Sequence, residues 1–256
     1  MTQHRDWQDF RAPDYTDIDP MRTIAILPTA AIEQHGPHLP VGTDTIINAG
    51  LLNLLKDKSP TDMDIRVLPI QAVGKSNEHL WAAGTLTMSA ETALRLWVEI
   101  GLSVARAGVR KLLILNSHGG NADLISIVAR ELRVQANMLV VRMGWGAFGT
   151  PDGLFSEQEQ RFGIHGGDNE TSLVLHCRPE TVDMSKAQDF RSTAETGAIP
   201  PIGPCAYGWI ASDLNPHGVV GEAHLATADK GKELADRMVD DVITLLHKIE
   251  AAPLFE

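Results

Sequence analysis

Residues 33–44 read EQHGPHLPVGTD, placing two histidines, a glutamate and an aspartate within twelve positions interrupted by Gly-Pro, Leu-Pro and Gly. Such a segment is too rich in Gly and Pro for a helix, yet it collects nitrogen and oxygen ligands. Glu33 and His35 stand two apart, so an extended backbone projects both to one side. The Gly-Pro and Leu-Pro pairs then turn the chain and deliver Asp44 at the start of a predicted helix. Glu, His and Asp together suit a divalent metal of the zinc, manganese or iron kind. Taken alone, the segment reads equally well as a polar loop with a solvated Glu33 and Asp44 as a helix cap. His38 fits a structural hydrogen bond to the loop better than a ligand role.

Two further clusters carry similar chemistry. NSHGGN (residues 116–121) puts His118 at the tip of a predicted strand. Gly119 and Gly120 let the backbone pass close to a ligand, and Asn121 can cap the next helix. In HGGDNETS (residues 165–172), Asp168 reads as an N-cap and Glu170 as a first-turn carboxylate favoured by the helix dipole. An acidic first turn without chemistry is the common reading of that motif in isolation. His165, released by Gly166-Gly167, can reach the same site as a proton donor or acceptor.

Jointly, Glu33, His35, Asp44, His118 and Glu170 supply five donors. One catalytic metal usually takes about three protein ligands. Five therefore suffice for two ions, about 3.5–4 Å apart, if one carboxylate bridges them. The expectation is a dinuclear hydrolase of a C–N bond in a small amide, lactam or formamide. A metal-bridging hydroxide attacks the carbonyl, a metal and backbone donors at Gly119-Gly120 hold the oxyanion, and His165 protonates the leaving nitrogen. Trp145 and Trp209 suit a stacking wall or lid, with a place in the core or an interface as the alternative. A serine hydrolase built on Ser117 or Ser172 ranks below, because no G-x-S-x-G elbow is present. A non-catalytic metal- or ligand-binding protein is the third reading.

The elements that must position these clusters alternate. TIAILP (Thr23–Pro28) predicts a buried strand, residues 44–58 a helix, and IRVLPIQAV (Ile65–Val73) a second strand carrying Pro69. A helix over 89–108 starts at the N-cap Ser89 and stops at Gly108. KLLILN (Lys111–Asn116) is a third strand, residues 122–136 a helix, and Met138–Trp145 a fourth strand. Helices over 168–177 and 227–250 follow. This alternation predicts an α/β fold with a mainly parallel sheet covered on both faces, and ligands of such sheets bind beyond the strands' carboxyl ends. Residues 146–165 and 195–221 are long glycine- or proline-rich excursions. Residues 1–22 form an irregular arm whose Trp7, Phe10 and Tyr15 can pack on the body or on a neighbouring subunit. One domain spans 1–256.

Composition narrows the function classes. The 256 residues carry 22 basic and 33 acidic side chains, a formal charge of −11, which disfavours nucleic acids and anionic membranes. The charged N-terminus lacks the apolar stretch of a signal peptide, and no apolar run approaches a membrane span. Only Cys177 and Cys205 are present, too few for a disulfide framework, so a cytoplasmic setting is expected.

The three motifs, with GKSNEHLWAAGTLTM (Gly74–Met88), resemble in order and spacing the creatininase family of metal-dependent amidohydrolases over roughly residues 23–176. The resemblance implies a three-layer α/β/α fold, two divalent ions (zinc first, then manganese or iron) and homo-oligomers, frequently hexamers. By motif position it implies Glu33, His35, Asp44, His118 and Glu170 as metal ligands, with Asp44 as the bridge. His165 is implied as the acid/base. Ser76 is implied as a substrate contact, or as a buried hydroxyl bonded to backbone. Where creatininases have an aromatic residue and a glutamate, this chain has Gly119-Gly120, so a stacking ring and a carboxylate are missing. The Gly-Gly form is similar to relatives acting on other cyclic amides, formamides or peptides, formamidopyrimidine deformylases among them. The implied substrate is a small non-peptide C–N compound other than creatinine, with a peptide as the alternative.

Overall fold

The computed structural model describes residues 5–255. Its strands are β1 (Ile24–Thr29), β2 (Ile65–Val67), β3 (Lys111–Asn116), β4 (Leu139–Gly144), β5 (Asp189–Phe190) and β6 (Gly221–Glu222). Its helices are α1 (Thr43–Lys58), α2 (Ala90–Arg106), α3 (Ala122–Ala136), α4 (Glu157–Phe162), α5 (Asp168–Cys177), α6 (Ala211–Leu214) and α7 (Ala228–Ala251). The first four strands form one parallel sheet in the order β2-β1-β3-β4.

Every residue of β1 and β3 is buried, as central strands covered on both faces require. Alternation along each strand decides which layer a side chain feeds. Ile24, Ile26, Leu113 and Leu115 pack with α1, α5 and α7, while Ala25, Leu27, Leu112 and Ile114 pack with α2 and α3. The outcome is the three-layer α/β/α arrangement. Ser89 and Thr227 cap α2 and α7 by accepting from Thr92 N and Lys230 N, each at 3.2 Å.

The second strand is shorter than its sequence suggests. Pairing stops at Val67 rather than reaching Val73, because Pro69 has no N–H to give the ladder. The chain rejoins the sheet briefly at Gln71, whose N–H donates to Pro28 O at 2.9 Å. The arm does pack on the body over its described part. Arg5 O accepts from Val67 N at 2.7 Å, and the Arg66 guanidinium lies 4.1 Å from the Phe10 ring centre. Residues 1–4 of the arm lie outside the described residues.

The two excursions contain structure of their own. The first holds α4, the second α6, and β5 pairs with β6 antiparallel. Among the described residues no helix is long and apolar enough to cross a membrane.

Candidate functional site

The β1–β3 register runs from Ile24 against Lys111 to Thr29 against Asn116, so both strands end level and their following loops lie side by side. Glu33 and His35 follow β1. Glu33 N donates to Val41 O at 2.9 Å, closing the loop so that Asp44, in the first turn of α1, returns beside them. His118 stands just beyond β3, and His165 and Glu170 flank the start of α5. Three distant segments therefore meet at one sheet edge.

There His118 and His35 each stand between two carboxylates, giving two triads that both include Asp44. They lie within a wider cluster in which Glu33 also groups with His35, with His79 and His165, and with Glu78 and His118, and His165 with His35 and Glu170. His118 Nδ1 lies 3.2 Å from Glu33 Oε1 and 3.3 Å from Asp44 Oδ2. His35 Nε2 lies 3.7 Å from Asp44 Oδ1 and 3.6 Å from Glu170 Oε2. Each imidazole is oriented by a backbone carbonyl. His35 Nδ1–H donates to Glu33 O at 3.1 Å, and His118 Nε2–H to Lys75 O at 2.9 Å. These bonds occupy the outward nitrogens and turn the inward ones toward the carboxylates, the orientation ligating histidines require. His165 follows the same rule. Its Nε2–H donates to Gln34 O at 2.9 Å, and its Nδ1 lies 3.6 Å from Glu33 Oε1.

The electrostatics call for a cation. Glu33 Oε1 and Oε2, His35 Nε2 and Asp44 Oδ2 are buried without a hydrogen-bond partner among the described residues. Unpaired buried charge is costly. Burial, with Glu33 nearby, pushes the Asp44 carboxyl well above its usual range, and burial raises Glu170 as well. Burial would also raise Glu33, but His118 and the other imidazoles hold it well below. Burial opposes protonation of His118, yet Glu33 and Asp44 hold its pKa well above the usual value. Burial lowers His35 and His165. Three carboxylates thus compete for one imidazolium. Divalent cations among these donors would replace the proton on His118 and satisfy the orphaned oxygens, so the residues present fit a metal.

A cleft of about 700 Å³ opens onto these groups, lined by Lys75, Glu78, Gly119, Gly120, Ile202, Tyr207 and Trp209 among others. A neighbouring cavity of about 530 Å³ shares His118, Gly119 and Glu170 with it and continues past Ile125, Arg142 and Trp145.

The structure decides between several alternatives and corrects other expectations. Ser76 is fully buried, with Oγ 3.3 Å from His118 Nε2, and supports that imidazole instead of facing the cleft. Trp145 is 4% exposed, packs among Met143, Leu173 and Met238, and donates Nε1–H to Asn48 Oδ1 at 3.2 Å. It belongs to the core and walls only the neighbouring cavity, whereas Trp209 does line the cleft. Asn121 does not cap α3. Its amide joins Ala30 O, Asn116 Oδ1 and Lys75 N, knitting three loops together. Asp168 is not the N-cap of α5, a place held by Gly167. Its carboxylate pairs with Lys230 and accepts from Ser172. Ser117 Oγ donates to Asp44 O at 2.9 Å, and Ser172 Oγ is engaged with Asp168 and Thr227 N, so neither serine faces a histidine as a nucleophile must. His38 is the structural histidine expected, with Nε2 at 3.0 Å from Gly166 O.

Gly119 and Gly120 differ in kind. A Cβ at 119 would meet nothing within 4 Å. A Cβ at 120 would stand under 3.0 Å from Glu78 Oε1, His118 Nε2 and Lys75 O. The space beside residue 120 holds the Glu78 carboxylate, whose Oε1 sits 3.5 Å from His118 Nε2 and whose Oε2 accepts from Lys75 Nζ at 3.3 Å. His79 joins the cluster as well, its Nε2 3.6 Å from Glu33 Oε1. Both belong to the NEH of the fourth motif, the only signal that pointed to them.

Comparison with known proteins bears on the family and the fold. A family profile described as Creatininase: Creatinine amidohydrolase matches residues 8–246. The chain is 30% identical to the mycofactocin precursor peptide peptidase of Mycobacterium ulcerans (strain Agy99) over 233 residues, covering 89% of this chain and 86% of that protein. A solved structure from Bacteroides fragilis NCTC 9343, provisionally described as a creatinine amidohydrolase, superposes with a TM-score of 0.80 at 24% identity, covering 98% of each chain. A manganese creatininase superposes with a TM-score of 0.78 at 20% identity, covering 98% of this chain and all of that one (100%).

Proposed function

The chain belongs to the creatininase family, and we propose that it is a dinuclear metal-dependent hydrolase of C–N bonds. The observation that carries this reading is the division of Asp44 between two triads, Oδ2 toward His118 and Oδ1 toward His35. Glu33, Asp44 and His118 would hold one divalent ion, and His35, Asp44 and Glu170 the other. Such a pair, when bound, polarises a carbonyl and brings the pKa of water toward neutrality. Donors of this type accept zinc, manganese or iron. The manganese of the solved creatininase supports manganese beside zinc.

The chain's own groups do the remaining work. The backbone at Gly119 and Gly120 borders the cleft and is available to a developing oxyanion. His165 handles the proton at Nδ1, since its Nε2–H is committed to Gln34 O. Burial keeps this imidazole neutral, so it acts first as a base. It then returns the proton to the leaving nitrogen, which departs poorly as an anion. Ile202, Tyr207 and Trp209 form an apolar wall against which a substrate can rest.

The substrate class follows from the same cleft. A small amide, lactam or formamide satisfies the chemistry. A peptide amide is a second reading, favoured by a cleft of about 700 Å³ and by the peptide-cleaving relative. A panel of lactams, formamides, ureides and short peptides, offered to metal-loaded and to chelated protein, tests both. Turnover of at least one class by the loaded protein alone is expected. Equal rates in both preparations across the panel would sink the proposal.

A further inference from the structure

α5 carries Glu170 in its first turn but begins behind Gly167, an N-cap with no side chain to satisfy the free N–H groups. The acceptor comes from another helix. Glu159 Oε1, on α4, accepts from Asn169 N at 3.1 Å, and Oε2 accepts from Glu222 N at 2.7 Å. One carboxylate therefore joins α4, the first turn of α5 and β6, and its residue is only 3% exposed.

The surrounding sequence is shaped to this carboxylate. A Cβ at Gly163, Gly167 or Gly221 would stand under 3.0 Å from its atoms, so a side chain at any of the three displaces it. The segment from 163 to 170 runs through this cage and bears both His165 and Glu170. His165 is held from the same direction, since Val220 N donates to His165 O at 2.8 Å. Among the described residues Glu159 has no cationic partner. Burial pushes its carboxyl up to about 7 against its two N–H bonds, with Asp168 and Glu222 adding to the rise. A carboxylate kept there without a cation serves geometry.

We propose that Glu159 is a positioning residue that sets where Glu170 and His165 stand by capping α5 from outside it. The proposal rests on the metal-site reading above and adds a residue to it. The test uses the full chain with Glu159→Gln and Glu159→Asp. Gln replaces one accepting oxygen by an NH2 group that meets an N–H, and Asp keeps the charge but shortens the reach. Zinc titration of the metal-free proteins by calorimetry reads the site without reference to turnover. Both variants should remain folded and bind one of two ions about 10- to 100-fold more weakly. kcat should fall by a similar factor, with KM within about twofold of wild type.

Wild-type zinc affinity and kcat in a folded Gln variant would overturn the proposal. Unfolding of both variants would overturn it too, since Glu159 would then hold the domain together and not the site in particular. The two readings fail separately. Weakened zinc binding in the variants, with no amide turnover by wild type, leaves the positioning role standing and removes the proposed reaction. Amide turnover by wild type with unaltered variants does the reverse.

Discussion

Asp44 turns Oδ2 to within 3.3 Å of His118 Nδ1, while its other oxygen, Oδ1, faces His35. Asp44 thus offers one oxygen to each imidazole, the arrangement a bridging carboxylate needs. Asp44→Ala should therefore weaken binding of both ions. Glu170→Ala, outside the His118 triad, should weaken one. Elemental analysis of the two variants after identical metal loading distinguishes them. The activity loss in Asp44→Ala should exceed the ~100-fold typical of losing an outer partner of a ligand. Retention of two equivalents by Asp44→Ala would remove it as the bridge.

His165 makes a different prediction, because its role concerns the proton and not the metal. His165→Ala should retain wild-type metal content while kcat falls about 10²- to 10⁴-fold, the range of a lost acid/base group. Equal kcat values in the two proteins would take His165 out of the reaction.

The adjacent glycines should respond unequally. A methyl at 120 drives into Glu78, His118 and Lys75, whereas one at 119 enters open space. Gly120→Ala should cost about 1–3 kcal/mol of stability, as overpacking does, and should impair activity by shifting His118. Gly119→Ala should keep wild-type stability in thermal unfolding. The opposite ranking would show that Glu78 does not occupy the space beside residue 120.

Acid should destabilise the metal-free protein partly through His38. Burial draws this imidazole down to about 4, against Gly166 O, which favours its charged form. The unfolded chain, with a histidine pKa near 6.5, takes up a proton that the folded chain refuses. The contribution is intact above pH 6.5 and is lost as pH falls toward 4, reaching about 3 kcal/mol there. His79, drawn down to about 3 by burial and by His165, acts in the same direction. His38→Gln keeps a donor for Gly166 O but cannot titrate. Its urea midpoint should decline less steeply than wild type between pH 6.5 and 4, and parallel declines would contradict this assignment.

Much of the site is legible in sequence because its signals are local. The i, i+2 spacing of Glu33 and His35, the turns that return Asp44, and the strand that ends at His118 each lie within a dozen residues. What stayed hidden depends on contacts between distant segments. The place of Glu78 beside His118 exists only because Gly120 lacks a side chain, and no periodicity encodes that pairing. Trp145 ends the predicted fourth strand between two glycines, and its type suits a stacking wall as well as the core; it shares a face with Val141 and Met143 and turns into the core. Asn121 and Asp168 fit helix caps by type, but more distant partners claim their side chains. The short second strand was legible in principle, since Pro69 cannot donate to a ladder.

The central claim is two divalent ions held around Asp44 and required for turnover. Metal content and amide hydrolysis measured on the same sample, before chelation, after it and after stepwise return of zinc or manganese, test it most directly. The account predicts close to two equivalents per chain, loss of turnover with their removal, and recovery as the second equivalent is restored. Undiminished hydrolysis by protein carrying no divalent metal would contradict it.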